Sequence, residues 1–132
     1  MTTVPADRKY TQDHEWILPT TGGKARIGIT DFAQKQLGDV VFVEVPTVGY
    51  TLQATEALGS VESVKAVTEI YAPVDGSVIA VNELLEGEPE LLNTDPYDKG
   101  WVVEVTLVDP KSLNDLLTAE RYQSYLDREE SD

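Results

Sequence analysis

The stretch Gly59-Ser60-Val61-Glu62-Ser63-Val64-Lys65-Ala66 decides how the rest of the chain is read. Strand-forming residues precede the lysine at Ala57–Val61 and follow it at Val67–Tyr71, and the turn Ala72-Pro73-Val74-Asp75-Gly76 closes the second run. Two such runs joined by a few residues predict a hairpin with Lys65 at its crest. A lysine raised on a short exposed hairpin suits the attachment of a long prosthetic group. Its amine points away from the body, and the rigid turn gives a modifying enzyme something to grip. For an arbitrary lysine a solvated turn is the default reading, but it leaves the flanking sequence unexplained.

Working outward, Val48–Gly87 is weakly mirrored about Lys65, with Gly49 and Gly59 before it and Gly76 and Gly87 after. Duplicated strands folding around a central hairpin give a flattened barrel with that hairpin at one end. Upstream, Tyr10–Leu18 is an aromatic-rich opening (Tyr10, His14, Trp16) that ends at Pro19, and Thr20-Thr21-Gly22-Gly23 predicts a turn. Lys24–Thr30 alternates, with Ala25, Ile27 and Ile29 on one face, as a half-buried strand does. Asp31–Leu37 predicts a short helix, capped by Thr30 or Asp31 and stopped by Gly38. Val40–Val45 reads as a strand closed by Pro46.

Downstream, Ser77–Asn82 alternates again, and Glu83–Leu92 reads as an acidic loop punctuated by Gly87 and Pro89. Trp101–Val108 reads as a strand. From Asp109 onward the tail reads as helical. Ser112 and Asp115 have the spacing of an N-terminal cap, and Leu113, Leu116 and Leu117 form an apolar face. Thr118 can begin a second short helix carrying Tyr122, Tyr125 and Leu126, and Arg128–Asp132 is expected to fray.

Composition narrows the function. At 132 residues the chain suits one domain with a proper core. Twenty-four acidic residues stand against 10 basic ones, a net charge of about −14, and no basic stripe offsets it. Nucleic acid and anionic membrane are both disfavoured by that surface. The same acidity suits a soluble, monomeric shuttle that meets basic-faced partners briefly. There is no cysteine and a single histidine, His14. Disulfides, thiolate metal sites, cysteine nucleophiles and multi-histidine zinc sites are thereby excluded, and no metal site is expected. Redox or group-transfer chemistry must come from something attached. Met1–Asp7 has no apolar or Arg-rich targeting pattern, so the bacterial cytosol is expected, with a processed form in the mitochondrial matrix as the alternative.

Taken in order, several stretches resemble the H proteins of the glycine cleavage system. They are Tyr10-Thr11-Gln12-Asp13-His14-Glu15-Trp16, Ile27-Gly28-Ile29-Thr30-Asp31-Phe32-Ala33-Gln34, Leu37–Pro46, the Lys65 run itself, Tyr71–Gly76, Asn93–Tyr97 and Gly100-Trp101. The resemblance covers almost the whole chain. It implies a mainly β, lipoyl/biotinyl-domain-like sandwiched barrel (a barrel-sandwich hybrid) with an N-terminal β extension, one short internal helix and C-terminal helices. On that reading residues 1–132 form a single domain, with 24–108 as the lipoyl-binding core and 109–130 as a helical extension.

The resemblance further implies that Lys65 carries lipoate as N6-lipoyllysine and that the protein is no enzyme by itself. Its arm would take the aminomethyl group of glycine from glycine decarboxylase (the P protein) and present it to the aminomethyltransferase (the T protein). Dihydrolipoamide dehydrogenase (the L protein) would then reoxidise the arm. The dithiol/disulfide couple supplies the redox step that a cysteine-free chain lacks. Glu62, three residues before the lysine, is the expected handle for lipoylating enzymes. Asp13 and Glu15 on one side and Glu69 on the other are expected to line a cleft that holds the loaded arm's amine. Phe32 is expected on the same cleft; it stands where many H proteins carry His or Tyr, which leaves it apolar packing against the arm. His14 is expected to anchor local structure, and Trp16 and Trp101 to be core or rim aromatics.

Rival carriers fit less well. Biotinyl carriers flank their lysine with methionines, whereas Val64 and Ala66 flank Lys65. Lipoyl domains of 2-oxoacid dehydrogenases place an acidic residue directly before the lysine and a long Ala/Pro linker after it, and neither is present. A lipoyl or octanoyl relay, handing the group to other proteins, keeps the same carrier and stays open. So does a β-rich interaction module to which Lys65 is incidental. An enzyme is the weakest reading, since no Ser/His/Asp set or phosphate-cradling loop is present.

Overall fold

Alternating burial folds the chain into two antiparallel sheets that share one apolar filling. The structure, a computed structural model, describes residues 2–131. In chain order its elements are β1 (Lys9–Tyr10), β2 (Glu15–Pro19), β3 (Lys24–Ile29), α1 (Asp31–Leu37), β4 (Val40–Glu44), β5 (Thr51–Leu52) and β6 (Ala57–Ser63). There follow β7 (Val67–Tyr71), β8 (Gly76–Val81), α2 (Leu84–Gly87), α3 (Leu91–Thr94), β9 (Val103–Leu107), a 3₁₀ segment (Pro110–Asp115) and α4 (Ala119–Ser131). A six-stranded sheet has the order β1-β2-β3-β9-β8-β5, and a three-stranded sheet the order β4-β6-β7. This is the mainly β sandwiched barrel expected.

Ile17 and Ile27 from the larger sheet meet Val43, Val61 and Ile70 from the smaller one in a single core that also takes Val78, Val103 and Val105. Each such side chain stabilises the fold by roughly 1.5–3 kcal/mol when fully buried. A one-residue slip would turn the whole row to solvent, so burial fixes the register. Outside the N-terminal strands lies a second, aromatic cluster of Tyr10, Trp16, Phe32, Tyr122 and Leu126. It joins α4 to the barrel, with the Tyr10 and Tyr122 rings stacked 4.7 Å apart. Trp16 lies over its cross-strand partner Gly28, where a Cβ would come within 2.6 Å of the indole. Gly28 is the only residue type that admits that ring.

The helix expected over 31–37 forms with both stops in place. Thr30 caps it, its side chain accepting from the Ala33 N–H, and Gly38 ends it at φ 76°. Other segments differ. The acidic loop expected over Glu83–Leu92 contains α2 and begins α3, neither with a side-chain cap. Their completely buried Leu85 and Leu92 hold them instead. The strand expected from Trp101 starts at Val103, because the Trp101 carbonyl accepts from Asn82 Nδ2 at 2.7 Å rather than from a neighbouring strand.

In the tail, Asp109 rather than Ser112 is the cap, accepting from the Lys111 N–H at 3.0 Å. Pro110 then opens a 3₁₀ segment, at a position where its missing N–H costs nothing. Thr118 does begin the last helix, its Oγ1 accepting from the Arg121 N–H at 3.2 Å. That helix runs on to Ser131 instead of fraying from Arg128, while Asp132 lies outside the described residues. No helix among them is long and apolar enough to cross a membrane.

Candidate functional site

The β6–β7 hairpin ends in a four-residue tip, Ser63-Val64-Lys65-Ala66, beyond the Glu62–Val67 pair. Ser63 organises it. Its N–H donates to the Ala66 carbonyl at 2.8 Å, and its buried hydroxyl oxygen accepts from the N–H groups of Lys65 at 3.3 Å and Ala66 at 3.1 Å. A serine hydroxyl closing a turn in this way leaves the two central side chains free to project. Val64 and Lys65 are both exposed.

The tip rests on the α1–β4 junction. The Val64 N–H donates to the Asp39 carbonyl at 3.0 Å, and the lysine stem lies over Gly38, where a Cβ would meet Lys65 Cε at 3.4 Å. Asn93 of α3 locks that seat. It accepts from the Val40 N–H at 2.9 Å and donates to the Gly38 carbonyl at 2.9 Å and to Gln34 Oε1 at 3.1 Å. Lys65 itself makes no ion pair among the described residues. Its amine is therefore available on a rigid support.

From Ala66 a cleft of about 330 Å³ runs between β7, α1 and the turn before β2. Asp13, His14 and Glu15 form one wall, Ala33, Gln36 and Leu37 of α1 a second, and Val67 to Ile70 a third. The structure thus brings Asp13, Glu15 and Glu69 together on one cleft beside the lysine tip. Glu62 is elsewhere, exposed on the outer face of β6. Phe32 is not among the lining residues; its ring packs behind the wall, 4.6 Å from that of His14. A larger, shallower depression of about 450 Å³ lies along α4, lined by residues such as Arg121 and Arg128, and includes no residue of the hairpin.

Glu15 differs from the other two acids because it is buried, with 2% of its surface exposed. Its carboxylate accepts from the Thr11 hydroxyl at 2.7 Å and from the Tyr71 N–H at 3.2 Å. Burial outweighs those two donors and pushes its pKa up from 4.5 to about 7. Asp13 and Glu69 are exposed at the mouth.

His14 fixes the wall that carries them. It sits at φ 70°, in the left-handed region, a conformation histidine tolerates better than most side chains. The Thr30 N–H donates to its carbonyl at 3.0 Å. Its Nδ1 lies 2.9 Å from the Tyr122 hydroxyl, which lies 2.7 Å from Thr30 Oγ1. Burial holds the imidazole pKa below its ordinary value, favouring the neutral ring. One assignment then satisfies every group: Thr30 donates to Tyr122, and Tyr122 donates to His14 Nδ1. Tyr122 and Asn93 carried no local signal in the sequence, because each works through partners on other elements, whereas Ser63 acts inside its own turn. No group of three or more His, Cys, Asp or Glu among the described residues could hold a metal ion.

A family model described as Glycine cleavage H-protein matches residues 8–129. The chain belongs to the glycine cleavage H-protein family. It is 50% identical over 126 residues to the glycine cleavage system H protein of Anoxybacillus flavithermus, covering 96% of this chain and 98% of that one. The H protein of Listeria welshimeri is 52% identical over 124 residues, with 94% and 98% covered. The crystal structure of the Mycobacterium marinum H protein superposes with a TM-score of 0.85 at 40% identity, covering 94% of this chain and 99% of that one. H proteins are a lipoyl-carrying family, and their role in glycine cleavage is that of a carrier.

Proposed function

We propose that this protein carries lipoate on Lys65 and moves the aminomethyl group of glycine from glycine decarboxylase to the aminomethyltransferase, with dihydrolipoamide dehydrogenase resetting the carrier. The observation that carries this reading is the adjacency of an exposed, unpaired amine on a rigid tip to a cleft that gathers three carboxylates. Residues at the tip fit the attached group. Gly38 leaves room along the lysine stem, and Ser63 orders the turn without occupying the space above it. Lipoate, when bound, supplies a dithiolane able to accept a one-carbon amine and two electrons, which this cysteine-free chain cannot do itself.

The chain's own residues then do the holding. Ile29, Ala33, Leu37 and Ile70 give the cleft apolar surface, which limits water at a group prone to hydrolysis. Asp13 and Glu69 at the mouth attract a protonated amine by their negative potential. Glu15, oriented by Thr11 and Tyr71, is the inner contact. With its pKa near 7 it is only partly ionised at neutral pH while the cleft is empty, and an arriving ammonium favours its ionised form. The acid is thereby partly spared an uncompensated buried charge in the empty protein.

The test is direct. Protein from a lipoylating host should show a lipoyl mass increment that disappears in Lys65→Arg. The lipoylated form, mixed with glycine decarboxylase and labelled glycine, should take up the label, and Glu15→Gln should shorten its lifetime on the protein. A biotin increment, or no uptake of label, would overturn the reading.

A further inference from the structure

Beside Lys65 lies a surface that shares only Val67 and Glu69 with the cleft. On the outer face of the three-stranded sheet, Phe42 of β4, Glu62 of β6 and Val67 of β7 form one cross-strand row. Phe42 is 53% exposed and Val67 68%, as is Val64 on the tip. Glu44 and Glu69 flank Ser60 in the row behind. None of the three strands contains a lysine or arginine. Exposed aromatic and branched residues clustered at one end of a sheet, on so charged a protein, mark an interaction surface. Its acidic surround favours a basic partner.

We propose that this face docks the enzyme that acylates Lys65, whose active-site mouth must present an apolar pocket for Phe42 ringed by lysine or arginine side chains. The inference rests on the carrier reading and names the partner by geometry. Before the arm is attached, the reacting atom is the lysine nitrogen, only about 6 Å from its own backbone. An enzyme joining an activated acyl group to that nitrogen must bring its surface down onto the tip and bury the side chains around it. Enzymes that act later on the end of a long arm face no such requirement. In the reaction Nζ attacks the acyl carbon of an acyl adenylate, the amide bond forms, AMP departs and the nitrogen gives up a proton. Phe42 touches none of these atoms; it anchors the complex, while Glu62 adds charge at its centre.

The experiment uses purified unlipoylated protein with a lipoate–protein ligase, lipoate and ATP, read by intact mass. Phe42→Ala is expected to raise KM for the protein about tenfold at nearly unchanged kcat. Glu62→Gln is expected to raise it less and to flatten its salt dependence. Val67→Ser gives an independent reading of the row should Phe42→Ala alter the thermal midpoint. Val108→Ser, equally exposed but outside this sheet, should match the wild type. Unchanged KM in both Phe42→Ala and Val67→Ser, or a loss confined to kcat, overturns the docking face while the carrier reading stands. A wild type that gains no lipoyl mass overturns both.

Discussion

Two tight turns border the same cleft and are built in opposite ways. The 11–15 turn lies under α4 and the aromatic cluster, with a residue in the left-handed region, a buried carboxylate and a hydrogen-bonded chain that reaches Tyr122. The 63–66 turn leans on one junction, sends its two central side chains into solvent and keeps a single buried hydroxyl for itself. One is a fixed wall, the other a presented tip. Buried polarity is concentrated in the wall that lines the cleft, and the tip that presents Lys65 is left with almost no side-chain interactions to lose.

The largest effect should come from the tip and touch function alone. Lys65→Arg should abolish lipoylation and glycine-dependent label uptake while moving unfolding free energy by less than about 0.5 kcal/mol. Equal loss of stability would mean that the tip is part of the wall's support after all.

Next comes the wall's buried acid. The folded state holds Glu15's proton up to about pH 7, against 4.5 as the ordinary value. Between those values the unfolded chain gives up its proton first, so raising the pH destabilises the fold, by up to about 3 kcal/mol. Below about pH 4.5 that loss is absent. Urea unfolding of wild type and Glu15→Gln at pH 5 and pH 8 should show Gln gaining on Glu as pH rises; a constant difference would remove the buried-proton account.

Tyr122→Phe should follow, at about 1–3 kcal/mol, because it strands the Thr30 hydroxyl and His14 Nδ1 without replacing their partner. Faster exchange of the Thr30 amide, which donates to His14's carbonyl, should accompany it, with no change at Val64. Smallest of all, Val64→Ser is expected within about 0.5 kcal/mol of wild type in thermal or urea unfolding.

Local chemistry made much of this readable beforehand. Alternation marked β3, the caps at Thr30 and Gly38 bounded α1, and the branched residues around Lys65 marked the hairpin. What escaped was tertiary. Gly87 and Pro89 speak for a loop, and only the burial of Leu85 and Leu92 holds two helical turns around them. Asp109 outcompetes Ser112 as a cap because Pro110 already favours a first helical position there. Around the cleft, Asp13, Glu15 and Glu69 could be named from the family pattern, but the burial of Glu15 alone among them could not. It depends on Thr11 beside it and on a backbone amide 56 positions away.

The hydroxyl of Tyr122 meets a ring 108 positions earlier in the chain, and this has a consequence for synthesis. As the polypeptide leaves the ribosome, the hairpin bearing Lys65 emerges well before α4. A nascent chain can therefore expose its modifiable amine while the far side of the cleft still lacks its clasp. A chain cut between Leu107 and Tyr122 would retain every strand of both sheets, the Lys65 hairpin included, and lack the hydroxyl that holds His14.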